Sequence, residues 1–300
     1  MESHPGGEFG LSLDRILRLI EEVHEQFGPV FLVVSGGEAL TRRKDCLTIL
    51  QHASQLLRVR LITNGTLIDP VTAQCLKELD IDIKVSLDGS APESHDWMRG
   101  EGSFDRTMAG LQNLFAAGYP PSRLRIGVTI PPERLHLIDE MIALAVRLGV
   151  GAIRFDAVSK IGRARVNWPR TKPMTEADSD SGPLRRYFEE TFPARYGSDW
   201  NMIDMDANVP PFETIHVYPD GSVYPFTPYN HPGEYESCLG NINESTLKGL
   251  LEGQALSRIV LRKFLRFSMG PASGSKSIYL YRCSLADAEN QYPATIDAIR

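Results

Sequence analysis

From residue 11 to about residue 158 the chain alternates apolar, β-branched runs with amphipathic segments, with almost nothing left between them. This rhythm restricts the fold more than any single motif, because parallel strands must be joined by crossovers long enough to be helices. "SLDRILRLIEEVHEQF" carries Leu13, Ile16, Leu17, Ile20 and Val23 at spacings of three and four, with Ser12 as N-cap and Gly28-Pro29 ending the helix. "VFLVVS" then reads as a buried strand. "RKDCLTILQHASQLL" is a helix, "VRLITN" a strand, "DPVTAQCLKELD" a helix capped by Asp69 with Pro70 in its first turn, and "IDIKVSLD" a strand. "SFDRTMAGLQNLFAAG" is a helix capped by Ser103 and stopped by Gly118. "LRIGVTI", "PERLHLIDEMIALAVRLG" and "AIRFDAV" follow as strand, helix and strand. Five strands and five helices alternate strictly.

Val, Ile and Leu dominate these strands without strong alternation, which is what parallel sheets buried on both faces require. A (β/α) barrel, closed or partial, and a doubly wound sheet both satisfy the pattern. In either, the loops after the strands' C-terminal ends carry the ligand site, so Gly36-Gly37-Glu38, Asn64-Gly65, Asp88-Gly89 and Ser159 to Gly162 are expected on one rim.

Beyond residue 160 the rhythm stops. Residues 166–211 are polar and rich in turn formers and read as an irregular linker with one helix, "LRRYFEETFPARYG". Residues 212–300 form an extension. It opens on "ETIHVYPDGSVYPF", a hairpin signal around Pro219-Asp220-Gly221, and continues into the helical "TLKGLLEGQALSRIVLRKFLRF" and a tail with no clear pattern.

A length of 300 residues with 42% hydrophobic content excludes a small stapled fold. The net charge of -6, from 38 acidic and 32 basic residues spread along the chain, argues against a nucleic-acid or polybasic membrane surface. No apolar stretch approaches the roughly 18 to 20 residues of a bilayer span, and "MESHPGGEFG" lacks the parts of a signal peptide, so the cytoplasm is the expected location. Cys46, Cys75, Cys238 and Cys283 form no C-x-x-C pair, so spacing supports neither a zinc module nor a disulfide framework.

The strand ends carry the chemistry. In "VVSGGEAL", Ser35, Gly36 and Gly37 allow close backbone approach, and Glu38 could grip an ammonium group or be solvated. Asn64 in "LITNGT" is a bifunctional amide. Ser86 and Asp88 in "KVSLDGS" suit a ribose hydroxyl pair or the capping of the next loop. Arg99 in "HDWMRG" suits a carboxylate. Together these groups describe a site for an amino-acid nucleoside. A plainer reading, a metabolic barrel holding phosphate at Gly36-Gly37, offers only His95 and Asp88 as an acid-base set.

"VVSGGEAL", "RLITNGTLI" and "KVSLDGSAPESHDWMRGEGSFDRTMAGLQNLFAAG", with their spacing, resemble the core of the radical SAM superfamily, in particular its peptide- and cofactor-maturing members with SPASM-type extensions. The resemblance implies an α/β fold, a partial (β/α)6 TIM-like barrel whose first strand is missing or vestigial, over residues 1–165, with a small α+β C-terminal extension. It implies S-adenosylmethionine as ligand: Gly36, Gly37 and Glu38 on its amino group, Ser86 and Asp88 on the ribose side, Arg99 on the carboxylate. Ala39 stands where the family usually has proline, and Phe226 in "IHVYPDGSVYPF" where an auxiliary-cluster cysteine is typical. A peptide or small-molecule precursor and a reductant protein are the implied partners. The family's 4Fe-4S cluster depends on a C-x-x-x-C-x-x-C motif before the first helix, and the ten residues of "MESHPGGEFG" contain no cysteine. Two expectations follow: a shortened form of an active enzyme, or a divergent pseudoenzyme that binds a nucleoside, leader peptide or partner without radical chemistry. Catalytic residues are not identified.

Overall fold

The computed structural model describes residues 11–157, 184, 186–192, 201–204, 215–224, 238–252 and 277–281. Residues 1–10, Ser159 to Gly162, Phe226, Cys283 and most of the expected linker 166–211 lie outside the described residues. In chain order, helix α1 spans Leu13–Phe27, strand β1 Phe31–Val34, α2 Arg43–Ser54, β2 Arg58–Thr63, α3 Pro70–Glu78 and β3 Ile81–Ser86. Next come α4 Pro92–Arg99, α5 Ser103–Ala116, β4 Leu124–Ile130, α6 Leu137–Leu148 and β5 Ala152–Ala157. After these stand β6 Asn201–Asp204, β7 His216–Val217, β8 Ser222–Tyr224, β9 Gly240–Asn241, α7 Leu247–Glu252 and β10 Ser277–Tyr281. Strands β1 to β5 pair in sequence order and in parallel, and β10 and β6 continue the sheet antiparallel, giving the order β1-β2-β3-β4-β5-β10-β6.

Capping fixes the helix starts largely where the sequence puts them. Ser12 accepts from the Arg15 amide ahead of α1, and Asp69 accepts from the Thr72 amide ahead of α3. The cap of α5 is different. Asp96, on the short helix α4 that the sequence reading leaves as a loop, takes the amides of Gly102 and Phe104 and the hydroxyl of Ser103. Ser103 is therefore the first helical residue and a ligand of the true cap, and those three bonds hold the Asp96 carboxyl below its usual range against the opposing effect of burial.

Two expectations about the sheet are corrected. First, the strands do alternate. Val59, Leu61, Ile81, Ile83, Val85, Leu124, Ile126, Val128, Ile153 and Phe155 face one way and join a single core with residues of α1, α2, α3, α5 and α6. The intervening positions, Arg60, Asp82, Lys84, Arg125, Arg154 and Asp156, face the other way. A doubly wound sheet would need both faces apolar. One helix-covered face and one charged face are the wall of a partial barrel, with each buried aliphatic side chain worth about 1.5 to 3 kcal/mol. Second, β1 is not buried: Phe31 and Val33 are 43% and 44% exposed, because β1 pairs only with β2 and forms the sheet's edge among the described residues. Phe31 is met on the charged face by the Arg60 guanidinium, 4.7 Å from the ring centroid.

The lower end of the charged face is closed by ion pairs. Arg125 Nη1 lies 2.8 Å and Arg60 Nη2 3.4 Å from Asp82 Oδ2, while Arg123 pairs with Asp80 and approaches Asp82 Oδ1 at 3.5 Å. Tyr119, buried beside them, donates its hydroxyl to the Ile81 carbonyl, and burial pushes its pKa well up.

A second, smaller core joins α1 to the extension through Leu11, Leu19, Val223, Leu239, Ile242, Leu247 and Leu250. The hairpin forms as expected, with β7 and β8 antiparallel and Gly221 at φ 86° in the turn. Polar contacts lock the joint: Arg15 Nε donates to the Ile242 carbonyl at 2.8 Å, and Glu22 Oε2 caps α7 by accepting from the Leu247 amide at 2.9 Å. No helix among the described residues is long and apolar enough to cross a membrane.

Candidate functional site

Because β1, β2 and β3 are parallel neighbours, the loops that follow them emerge on one edge, and Ser35 to Glu38, Asn64-Gly65 and Asp88-Gly89 share it. Ser35, Gly36 and Gly37 are exposed there, and Glu38 turns back into the protein. Its Oε1 accepts from the Thr63 hydroxyl at 2.7 Å and the Leu40 amide at 3.1 Å, and its Oε2 accepts from the Asn64 amide at 2.7 Å. Glu38 thus bolts the first loop to the end of β2.

Asn64 is similarly committed. Its Oδ1 accepts from the amide and hydroxyl of Thr66 at 2.9 and 2.8 Å, and its carbonyl takes the Thr107 hydroxyl of α5 at 2.9 Å. Behind it α5 approaches closely: a Cβ on Gly110 would stand 2.1 Å from the Gly65 carbonyl oxygen. Gly36 has no such reason to be glycine. Its φ lies outside the left-handed region, and a Cβ there would meet nothing among the described residues within 4 Å.

The third loop is built around Asp88, whose side chain is 2% exposed. Its Oδ1 accepts from the Thr129 amide at 2.7 Å, tying the loop to β4, and its Oδ2 receives Arg99 Nε. Asp88 and Arg99, read from sequence as partners for different ends of a ligand, are partners of each other here. Ser86 ends β3 half-buried between this cluster and the Glu38 cluster. The structure therefore joins Glu38 with Asn64 and Asp88 with Arg99, all on one rim.

His95, weighed in sequence as a rim acid or base, is fully buried in α4. Its Nδ1 accepts from the Asp88 amide at 3.0 Å, its ring meets Phe104 edge to face, and burial lowers its pKa. It is a packing group that fixes the Asp88 loop. Sequence reasoning missed Thr63, Thr107 and Thr129, the donors that position the rim; for Thr63 an alternating strand ending in Thr was the available signal, while Thr107 lies on α5 and Thr129 acts through its backbone amide.

The described cysteines, Cys46, Cys75 and Cys238, do not fit a cluster. Cys46 is 4% exposed on α2, and burial, helped by the charge of Glu38, pushes its thiol up to about 11, opposite to what a thiolate ligand requires. Cys75 is half-buried on α3, and Cys238 precedes β9. Among the described residues no group of three His, Cys, Asp or Glu side chains could hold a metal ion.

Comparisons with known proteins agree with this architecture. Residues 3–145 match the model of the radical SAM superfamily. The AdoMet-dependent heme synthase of Methanosarcina barkeri is 37% identical over 164 residues, which is 54% of this chain and 45% of that protein. The mycofactocin maturase MftC of Mycolicibacterium smegmatis is 33% identical over 168 residues, 55% of this chain and 42% of that protein. The chain thus spans less than half the length of these relatives. Among solved structures, native anSMEcpe with bound AdoMet superposes with a TM-score of 0.58 at 17% identity, covering 82% of this chain and 73% of that one. Streptococcus suis SuiB bound to its precursor peptide SuiA does so at 0.57 and 14%, covering 83% and 60%. At such identities the structures speak for the fold. Residues 3–145 of this chain are a radical SAM superfamily domain.

Proposed function

We propose that the rim formed after β1, β2 and β3 binds S-adenosylmethionine, and that the protein serves the radical modification of a peptide or cofactor precursor, as its maturase relatives do. The observation that carries this reading is Gly36. Among the described residues neither packing nor backbone angle requires glycine there, and it sits exposed beside a loop held rigid by Glu38; an external ligand pressed against the main chain supplies the missing reason. The amino group would approach the Ser35-Gly36-Gly37 backbone and the remaining lone pair of Glu38, with Ser86 toward the ribose.

S-adenosylmethionine supplies a 5'-deoxyadenosyl radical only when an iron-sulfur cluster reduces it, and the described cysteines do not fit that cluster. The contribution read from the described residues is binding and orientation. The same observation favours a second reading, a nucleoside-binding module that holds the ligand uncleaved.

The experiment is calorimetric titration of the full chain with S-adenosylmethionine, alongside Gly36→Leu. The leucine Cβ would meet nothing among the described residues within 4 Å at an exposed position, so thermal stability is expected to be unchanged while affinity falls at least tenfold. A wild-type chain that binds no S-adenosylmethionine, or a Gly36→Leu chain that binds it as well, refutes the site.

A further inference from the structure

The charged face of the sheet below the rim has an order of its own. From Arg60 upward, the inward positions of β2 to β5 carry Arg60, Lys84, Arg125 and Arg154 against Asp82 and Asp156, four positive charges to two negative, in a chain whose net charge is -6. These strand positions therefore carry a positive excess in a chain that is negative as a whole. The lower charges are used in closing the floor, where Asp82 takes Arg60 and Arg125.

Higher up, Ser86 of β3, Gly127 of β4 and Arg154 of β5 are successive register partners. Gly127 leaves a gap in this row, and Lys84 lies across it: its Cγ, Cδ and Cε stand 3.2 to 3.4 Å from where a Cβ on Gly127 would be. The lysine thus leans from β3 across β4, toward the strand that carries Arg154. Arg154 is itself held in place, Nε and Nη2 each 2.7 Å from Asp156 Oδ1. All three side chains are only partly buried.

We propose that Lys84 and Arg154 form an anion clamp over Gly127 that receives a carboxylate group of the molecule to be modified, one row below the rim. The location rests on the reading of the rim as the S-adenosylmethionine site; the clamp itself does not. A lysine contributes a mobile point charge and an arginine a fixed fork, a pairing that suits a carboxylate from either an acidic peptide side chain or a small polycarboxylate.

The test titrates the full chain with citrate, citric triamide, a short Glu-rich peptide and its Gln counterpart. The carboxylates are expected to bind and the amides not. Lys84→Gln and Arg154→Gln should each weaken carboxylate binding about tenfold or more, Gly127→Ala should weaken it by displacing the lysine, and Lys84→Arg and Arg154→Lys should retain it. Tighter binding of the peptide or of citrate identifies the source, and either supports the clamp. No carboxylate binding, equal binding of the amides, or undiminished binding by both Gln variants overturns it. S-adenosylmethionine is titrated separately into the same proteins. Its affinity is expected to be unchanged in the Lys84 and Arg154 variants, and a loss there with carboxylate binding intact also overturns the clamp. Failure of S-adenosylmethionine to bind wild type, with Lys84-dependent carboxylate binding intact, would refute the rim reading alone.

Discussion

Glu38 is the residue on which two accounts of the rim diverge most sharply. If its carboxylate acts as a direct clasp for an ammonium group, Glu38→Gln should weaken the ligand and leave the fold alone. The geometry predicts otherwise. The carboxylate accepts from the Thr63 hydroxyl and the Asn64 amide at 2.7 Å and from the Leu40 amide at 3.1 Å, bridging residues 25 and 26 positions away in sequence. Hydrogen bonds to a charged acceptor are worth about 1.5 to 3 kcal/mol each, and stranding a buried donor costs about 1 to 3 kcal/mol. Water can reach the half-exposed Asn64 side of the bridge, so the sum is discounted. Glu38→Ala is expected to lose about 2 to 4 kcal/mol, and Glu38→Gln about 1 to 2 kcal/mol, because the amide must turn its NH2 toward one of three donors. Urea unfolding at neutral pH measures the loss, and amide exchange at Leu40 and Asn64 localises it. Affinity for S-adenosylmethionine should fall together with stability. A Glu38→Ala chain that unfolds within about 0.5 kcal/mol of wild type, with Asn64 exchange unchanged, would refute the brace.

Gly110→Ala should be destabilising by about 1 to 3 kcal/mol and should loosen the Asn64 loop, since the new methyl would fall 2.1 Å from the Gly65 carbonyl oxygen; thermal denaturation with loop-resolved exchange checks it. His95 titrates below its ordinary value, chiefly through burial, with the charge of Arg99 acting in the same direction and Asp88 and Asp96 opposing. A lowered histidine pKa means that the unfolded chain takes up the proton first. Stability is thus full above about pH 6.5 and falls as pH drops below it. His95→Asn keeps an acceptor for the Asp88 amide without an ionisable ring, so its unfolding free energy should fall less steeply with acid than that of wild type; parallel slopes would refute the assignment.

What could be read beforehand divides by the range of the interaction. The helices from α1 to α6, other than α4, were legible because their signals are local: a heptad-like stripe, Ser12 or Asp69 at the cap, Gly28 or Gly118 past the end. Helix α4 has eight residues, too few to show a stripe, and Asp96 caps a helix that starts seven residues later, beyond any local pattern. The final strand, Ser277–Tyr281, follows no repeat of its own and is defined by its partner β5. The charged face was present in the letters, since "RVRLIT", "IDIKVS" and "IRFDA" all alternate. It was obscured by expecting a parallel strand to be covered on both sides, which holds for a doubly wound sheet but not for a barrel wall.

The candidate site shows the same division with a further step. Residue types suited to an amino-acid nucleoside were visible at the strand ends, but their allocation was not, because an Asp or Arg serves a ligand and a neighbouring loop equally well. In the folded chain Glu38, Asn64, Asp88 and Arg99 all turn toward other loops, and each ties together elements that are distant in sequence. Bonds spent in this way are not wasted on function. A ligand that contacts main chain at Ser35 to Gly37 gains only if that main chain is already fixed, since ordering a loop on binding would offset the contact it makes. On the proposed reading the charged groups of this rim act first on the backbone, and the backbone, with Gly36 left bare, then makes the main contact with the ligand.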